Sequence, residues 1–83
     1  MEATMDLVPS ERVVLKMIRM LILEASTHTH CVTLLRSRWP ALHATAYDGG
    51  FVGLIAKRLV ALSGDEQTFI VSSEGLRAMA SHR

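Results

Sequence analysis

The sequence predicts an α+β domain: a three-helix core, a short β-hairpin and a C-terminal helix. Three observations carry this. Apolar residues recur at helical spacing over two long stretches, around 13–22 and 47–59. After residue 59 the rhythm changes to short β-capable runs, Leu59-Val60-Ala61-Leu62 and Thr68-Phe69-Ile70-Val71, separated by the turn residues Ser63-Gly64-Asp65-Glu66. A serine pair, Ser72-Ser73, then precedes a short run with the character of a helix, Glu74 to Ala80.

The first helix is predicted to begin at Pro9-Ser10-Glu11, with Ser10 as N-cap and Glu11 in the first turn, where negative charge suits the helix dipole. Residues 1–9 read as a flexible lead-in and 10–83 as the folded domain. Val13, Val14, Met17, Ile18, Met20, Leu21 and Ile22 make an apolar arc broader than one core requires, opposite a polar stripe of Arg12, Lys16 and Arg19. Such an arc fits either a helix covered on several sides or one that also pairs two copies. Residues 26–30 read as a loop into a second helix with Val32, Leu34 and Leu35 on its apolar side, stopped at Trp39-Pro40 because the residue before proline is pushed out of helical geometry. Either Thr45 or Asp48 caps a third helix, expected over 46–58, with Tyr47, Phe51, Leu54, Ile55 and Leu59 inward. The run at 59–62 fits a strand or the tail of that helix, and either Ser72 or Ser73 caps the last one.

Eighty-three residues, 49% hydrophobic and 20% charged, suffice for one modest core. The net charge of +1 is not that of a protein held to polyanions by bulk charge, so a nucleic-acid surface must be local. The segment 26–62 has that local bias: Arg36, Arg38, Lys57 and Arg58 stand against Asp48 alone. The apolar stretch 13–23 is broken by Lys16 and Arg19 and is too short to span a bilayer, and no secretory signal is evident. A cytoplasmic protein without membrane attachment is expected, in keeping with the single cysteine.

Catalytic signatures are missing: there is no nucleophile elbow, no phosphate-cradling glycine loop after a strand and no HExxH. The expectation is therefore a non-enzyme with no cofactor. His28, His30, Cys31 and His43 are the right residue types for zinc, but adjacent His30-Cys31 suits one ion poorly and no CxxC supports it. Cys31 is expected to pack as a small core residue and the histidines to sit in loops, with no metal bound.

The order helix-helix-helix-hairpin-helix resembles the winged helix-turn-helix family of bacterial and phage transcription regulators. The resemblance spans about residues 10–79 and is most specific at its end. Family members often pass from the third helix through a leucine and a glycine-leucine-valine step into the hairpin, then an aromatic strand and a leucine-threonine-x-x-glycine cap. The matching residues are Leu54 through Lys57, Arg58-Leu59-Val60, Gly64-Asp65-Glu66, Phe69-Ile70-Val71 and Ser72-Ser73-Glu74-Gly75. Arg58 replaces the usual glycine, Ser72 replaces threonine, and the segment between helices two and three is longer than a tight turn.

The resemblance implies a DNA-binding transcription regulator with Arg36, Arg38, Thr45, Tyr47, Lys57 and Arg58 as its site residues, acting on double-stranded DNA as a homodimer paired through helix one or the last helix. Helix 46–58 would enter the major groove, with Thr45, Tyr47 and Lys57 on DNA and Arg36 and Arg38 on phosphates. Two features point elsewhere. The side of helix three bearing Gly49, Gly53 and Ala56 offers no base-reading Asn, Gln or Arg, and Asp65 and Glu66 put negative charge on the hairpin tip. The alternative is a winged-helix protein-protein interaction module that does not bind DNA and takes its partner through Gly49, Gly53 and Ala56.

Overall fold

A computed structural model describes residues 7–81. Four helices and one small antiparallel sheet follow in the order α1 (Pro9–Ala25), β1 (Thr29–Cys31), α2 (Val32–Arg36), a 3-10 turn (Ala41–His43), α3 (Ala44–Ala56), β2 (Val60–Leu62), β3 (Thr68–Val71) and α4 (Ser73–Ser81).

Helix α1 begins two positions earlier than a Ser10 cap predicts. Val8 occupies the N-cap and Pro9 the first helical position, where a missing N–H costs nothing. Glu11 reaches back so that its carboxylate accepts the Val8 N–H at 3.1 Å. Val14, Leu15, Ile18 and Leu21 are buried, as is Leu7 just ahead of the helix, while Val13, Met20 and Leu23 are exposed. Leu15, absent from the predicted arc, belongs to the core; the apolar excess lies on the far side.

The segment predicted as a plain loop contains a strand. Thr29–Cys31 pairs with β3 in the register Thr29↔Ile70, His30↔Phe69, Cys31↔Thr68, and β2 pairs on its other side, giving the order β1-β3-β2. Polar residues hid this strand, because only His30 of the three points inward and three residues are too few to show a period-two pattern. Cys31 is exposed, contrary to its expected core position, and His30 is buried rather than in a loop. The His30 Nε2 lies 2.7 Å from the Thr27 carbonyl, which can only accept, so that nitrogen carries the proton.

Helix α3 runs two residues ahead of its predicted 46–58 span at both ends. No side-chain cap starts it. The 3-10 turn leads directly into it, leaving Thr45 inside the first turn and Asp48 further along. Its end is a Schellman motif: the Arg58 N–H bonds the Ile55 carbonyl and the Leu59 N–H bonds the Leu54 carbonyl, both at 3.0 Å. The reversal needs a left-handed residue, and Arg58 supplies it at φ 63°. This is the position where the resembled family has glycine. The chain then enters β2, so residues 60–62 are strand and not helix tail.

Phe51 and Phe69 meet edge-to-face at 5.4 Å between ring centroids and join helix α3 to the sheet in one core with Leu35, Leu54, Leu59, Val60 and Val71. Ile55 packs against it half-buried. Ser72 caps α4, accepting the Gly75 N–H at 3.0 Å and donating to the Arg58 carbonyl at 2.8 Å. Gly75 is buried so closely against the Leu59 carbonyl that no Cβ fits there. The serine-to-glycine spacing of the last helix is thus a docking device for the corner between α3 and β2.

Candidate nucleic-acid interface

Helix α3 shows solvent a narrow row of Thr45, Gly49, Val52 and Ala56, at successive helical spacings. Nothing lies within 4 Å of the position a Gly49 Cβ would take. Gly50 and Gly53 do different work. A Cβ on Gly50 would lie 2.5 Å from the Ser10 carbonyl oxygen, and one on Gly53 would strike the Glu11 side chain. These two glycines allow α1 and α3 to approach closely, the most extensive helix contact in the fold. Gly53 therefore faces α1, and the small-residue side proposed for a partner reduces to Gly49 and Ala56, with Thr45 and Val52 beside them.

The segment 36–48 folds around one carboxylate. Asp48 Oδ1 accepts the Trp39 indole N–H at 2.8 Å and the Arg36 Nε–H at 3.1 Å. The Trp39 ring lies 5.2 Å from that of Tyr47, which is half-buried. The long connection between α2 and α3 is thereby pinned, and Tyr47 serves as packing for Trp39. Thr45 stands exposed at the start of α3.

The predicted cations are largely engaged inside the molecule. Arg38 forks onto Glu24 at 3.0 and 3.2 Å, which holds the Glu24 carboxyl below the usual carboxylate range and raises the Arg38 guanidinium. Lys57 Nζ meets Glu11 Oε1 at 2.5 Å, with the carboxylate side chain only 8% exposed. Arg36 and Arg38 remain well exposed, and solvent screens surface pairs of that kind so that they hold weakly and a phosphate competes for both. Lys57 is the exception, because leaving Glu11 buried without a cation costs several-fold more. Sequence reasoning missed these pairs because Glu11 and Glu24 lie 46 and 14 residues from their partners. Arg58 is exposed and makes no ion pair with the described residues.

The hairpin tip has a structural reason for its acid. Asp65 accepts the Ser63 hydroxyl at 2.6 Å and the Gln67 N–H at 3.1 Å, bonds that hold its carboxyl below the ordinary range. Glu66 next to it adopts φ 60°. Cys31, at the head of α2, has its thiol lowered by the Leu34 and Thr33 backbone N–H groups. Among the described residues no three of His, Cys, Asp and Glu come together to hold a metal ion, and no helix is long and apolar enough to cross a membrane.

No family description, curated protein or solved structure matches this chain.

Proposed function

We propose that the chain is a winged-helix DNA-binding domain, a transcription regulator that lays α3 into the major groove of duplex DNA. The observation that carries this reading is the outward side of α3, low in profile and placed between exposed Arg36 on one flank and Arg58 at its end. A helix with Gly49 and Ala56 outward can bring its backbone close to a groove, and the methyl groups of Thr45, Val52 and Ala56 suit thymine methyls. The element order with a central β3 and a helix closed on the α3–β2 corner supports the winged-helix assignment. Contacts come from Thr45, Arg36, Arg38 and Arg58; Tyr47 and Lys57 act behind the surface, on Trp39 and Glu11.

A second reading has an observation of its own. An uncharged, small-residue row whose flanking Arg36 is already paired with Asp48 also suits a closely packed protein helix, which makes the domain an interaction module. One variant separates the two. Gly49→Glu meets no atom in the fold, so the domain stays folded and gains helix propensity of up to ~1 kcal/mol. On DNA it places a carboxylate against phosphates, and duplex binding at low salt should weaken at least about tenfold. Wild-type protein that ignores duplex DNA at low salt, or a Gly49→Glu variant that binds it as wild type does, defeats the DNA reading.

A further inference from the structure

Leu42 is 94% exposed, more than any other large apolar side chain among the described residues. It stands in the middle of the 3-10 turn Ala41–His43, which leads directly into α3. That turn is pinned on both sides. Ahead of it the Trp39 indole donates to Asp48 at 2.8 Å and packs on Tyr47, and the His43 N–H bonds the Pro40 carbonyl at 2.9 Å. Behind it α3 continues without a break. The Leu42 side chain thus takes almost no surface out of water for the fold, while the backbone that carries it is held in place.

Leu42 heads the solvent row of α3. One turn on come Thr45 and Ala46, then Gly49, Val52 and Ala56, all exposed, with Val52 at 60%. The row holds one hydroxyl, on Thr45, and no amide, amine, guanidinium or carboxylate side chain. In a major groove every base pair shows polar atoms, and thymine alone of the four bases adds a methyl group. Side chains without donors or acceptors cannot distinguish guanine N7 and O6 from adenine N6 and N7 by hydrogen bonding. What Leu42 and Val52 can do is take a methyl out of water, and that methyl is the apolar feature of the groove edge.

We propose that this surface selects duplex DNA by the thymine methyl groups in its major groove, with Leu42 and Val52 as the specificity-determining side chains. This rests on the DNA reading above and adds the kind of site that the domain prefers. The two side chains lie ten residues apart in sequence, ~15 Å along the axis, which is the rise of about four to five base pairs. Each therefore addresses a different base pair. Arg36 and Arg58 hold phosphate whatever the sequence, and the methyl contacts supply the choice of site. 5-Methylcytosine carries the same methyl at the same ring position as thymine, so a G·C pair modified in that way is taken as a thymine is.

The experiment measures binding of the full chain, at low salt, to one duplex of mixed sequence in three forms: with thymine, with deoxyuridine in place of every thymine, and with deoxyuridine together with 5-methylcytosine in place of every cytosine. A covered methyl is worth about fourfold in affinity, so with one or two covered the deoxyuridine form should bind roughly four- to sixteen-fold more weakly than the thymine form. The 5-methylcytosine form should recover most of that loss. Leu42→Ala and Val52→Ala shorten side chains that lie largely in solvent, thermal melts read any folding defect, and each should narrow the thymine-to-deoxyuridine ratio by about twofold or more. Wild type that binds the thymine and deoxyuridine forms equally, or a 5-methylcytosine form no tighter than the deoxyuridine one, overturns methyl selection and leaves the DNA reading standing. A ratio unchanged in both folded variants overturns the assignment to Leu42 and Val52. Wild type that binds none of the three forms overturns this inference and the DNA reading together.

Discussion

Replacing Arg58 with glycine is expected to stabilise the fold and weaken DNA binding together, a combination that few surface changes produce. Arg58 holds φ 63° as the left-handed residue of the Schellman turn that ends α3. A residue with a Cβ costs ~1–2 kcal/mol in that conformation, and glycine costs almost nothing. Against this gain, glycine adds freedom to the unfolded chain worth roughly 0.5–1 kcal/mol. The hydrogen bonds at this position use backbone atoms only, the N–H to Ile55 and the carbonyl from Ser72, and survive the change. The net gain is therefore about 0.5–1 kcal/mol, or a rise in Tm of about 3–6 °C for a domain of this size. Arg58→Ala keeps the strained backbone and removes the same charge, so it should leave Tm nearly unchanged. Thermal melts of the three proteins at one pH and salt give the answer. If glycine and alanine variants melt together, or both melt below wild type, backbone strain is not what Arg58 contributes. In the same preparations, both variants should flatten the salt slope of duplex binding by about 0.9, the share of one phosphate contact.

Two further perturbations follow from other joints of the fold. Ser72→Ala removes the acceptor for the Gly75 N–H and the donor to the Arg58 carbonyl, and should cost about 1–2 kcal/mol in urea unfolding, whereas Ser72→Thr should retain most of that; a threonine variant no better than alanine contradicts the capping role. Asp65 has a carboxyl lowered by the Ser63 hydroxyl and the Gln67 N–H, so its contribution is present above the ordinary aspartate range and is lost as pH falls through the lowered value. The difference in Tm between wild type and Asp65→Asn should accordingly shrink on the acid side of pH ~4, and a difference that stays constant down to pH 2 removes Asp65 from the turn.

Much of the fold was legible because its signals are local. The apolar spacing of Phe51, Leu54 and Ile55 places α3's buried side, and the Ser63-Gly64-Asp65-Glu66 turn between two β-capable runs places the hairpin. Ser72 and Gly75 fall where capping and close approach require them. β1 was illegible for the opposite reason: a three-residue polar strand with one buried side chain exists only because β3 offers it an edge. The early start of α3 was hidden likewise, since a 3-10 turn and the Asp48–Trp39 bond replace the side-chain cap that sequence reading looks for.

The candidate site was less legible than the fold, and the cause is the range over which charge is balanced. Counting Arg36, Arg38, Lys57 and Arg58 against Asp48 treats the segment 26–62 as an isolated surface, yet α1 lies beside it and supplies Glu11 and Glu24. Each such pairing removes a cation from the α2–α3 surface and an anion from α1. The whole-chain charge of +1 is unaffected by that exchange, but its distribution is not. What α1 gives up in carboxylates leaves exposed Arg12, Lys16 and Arg19 on the same helix without an ion pair among the described residues. The same exchange explains why Gly53 is small: a side chain there would displace the carboxylate on which Lys57 depends. A glycine that reads as an invitation to an outside partner is, in this fold, the space in which the molecule neutralises itself.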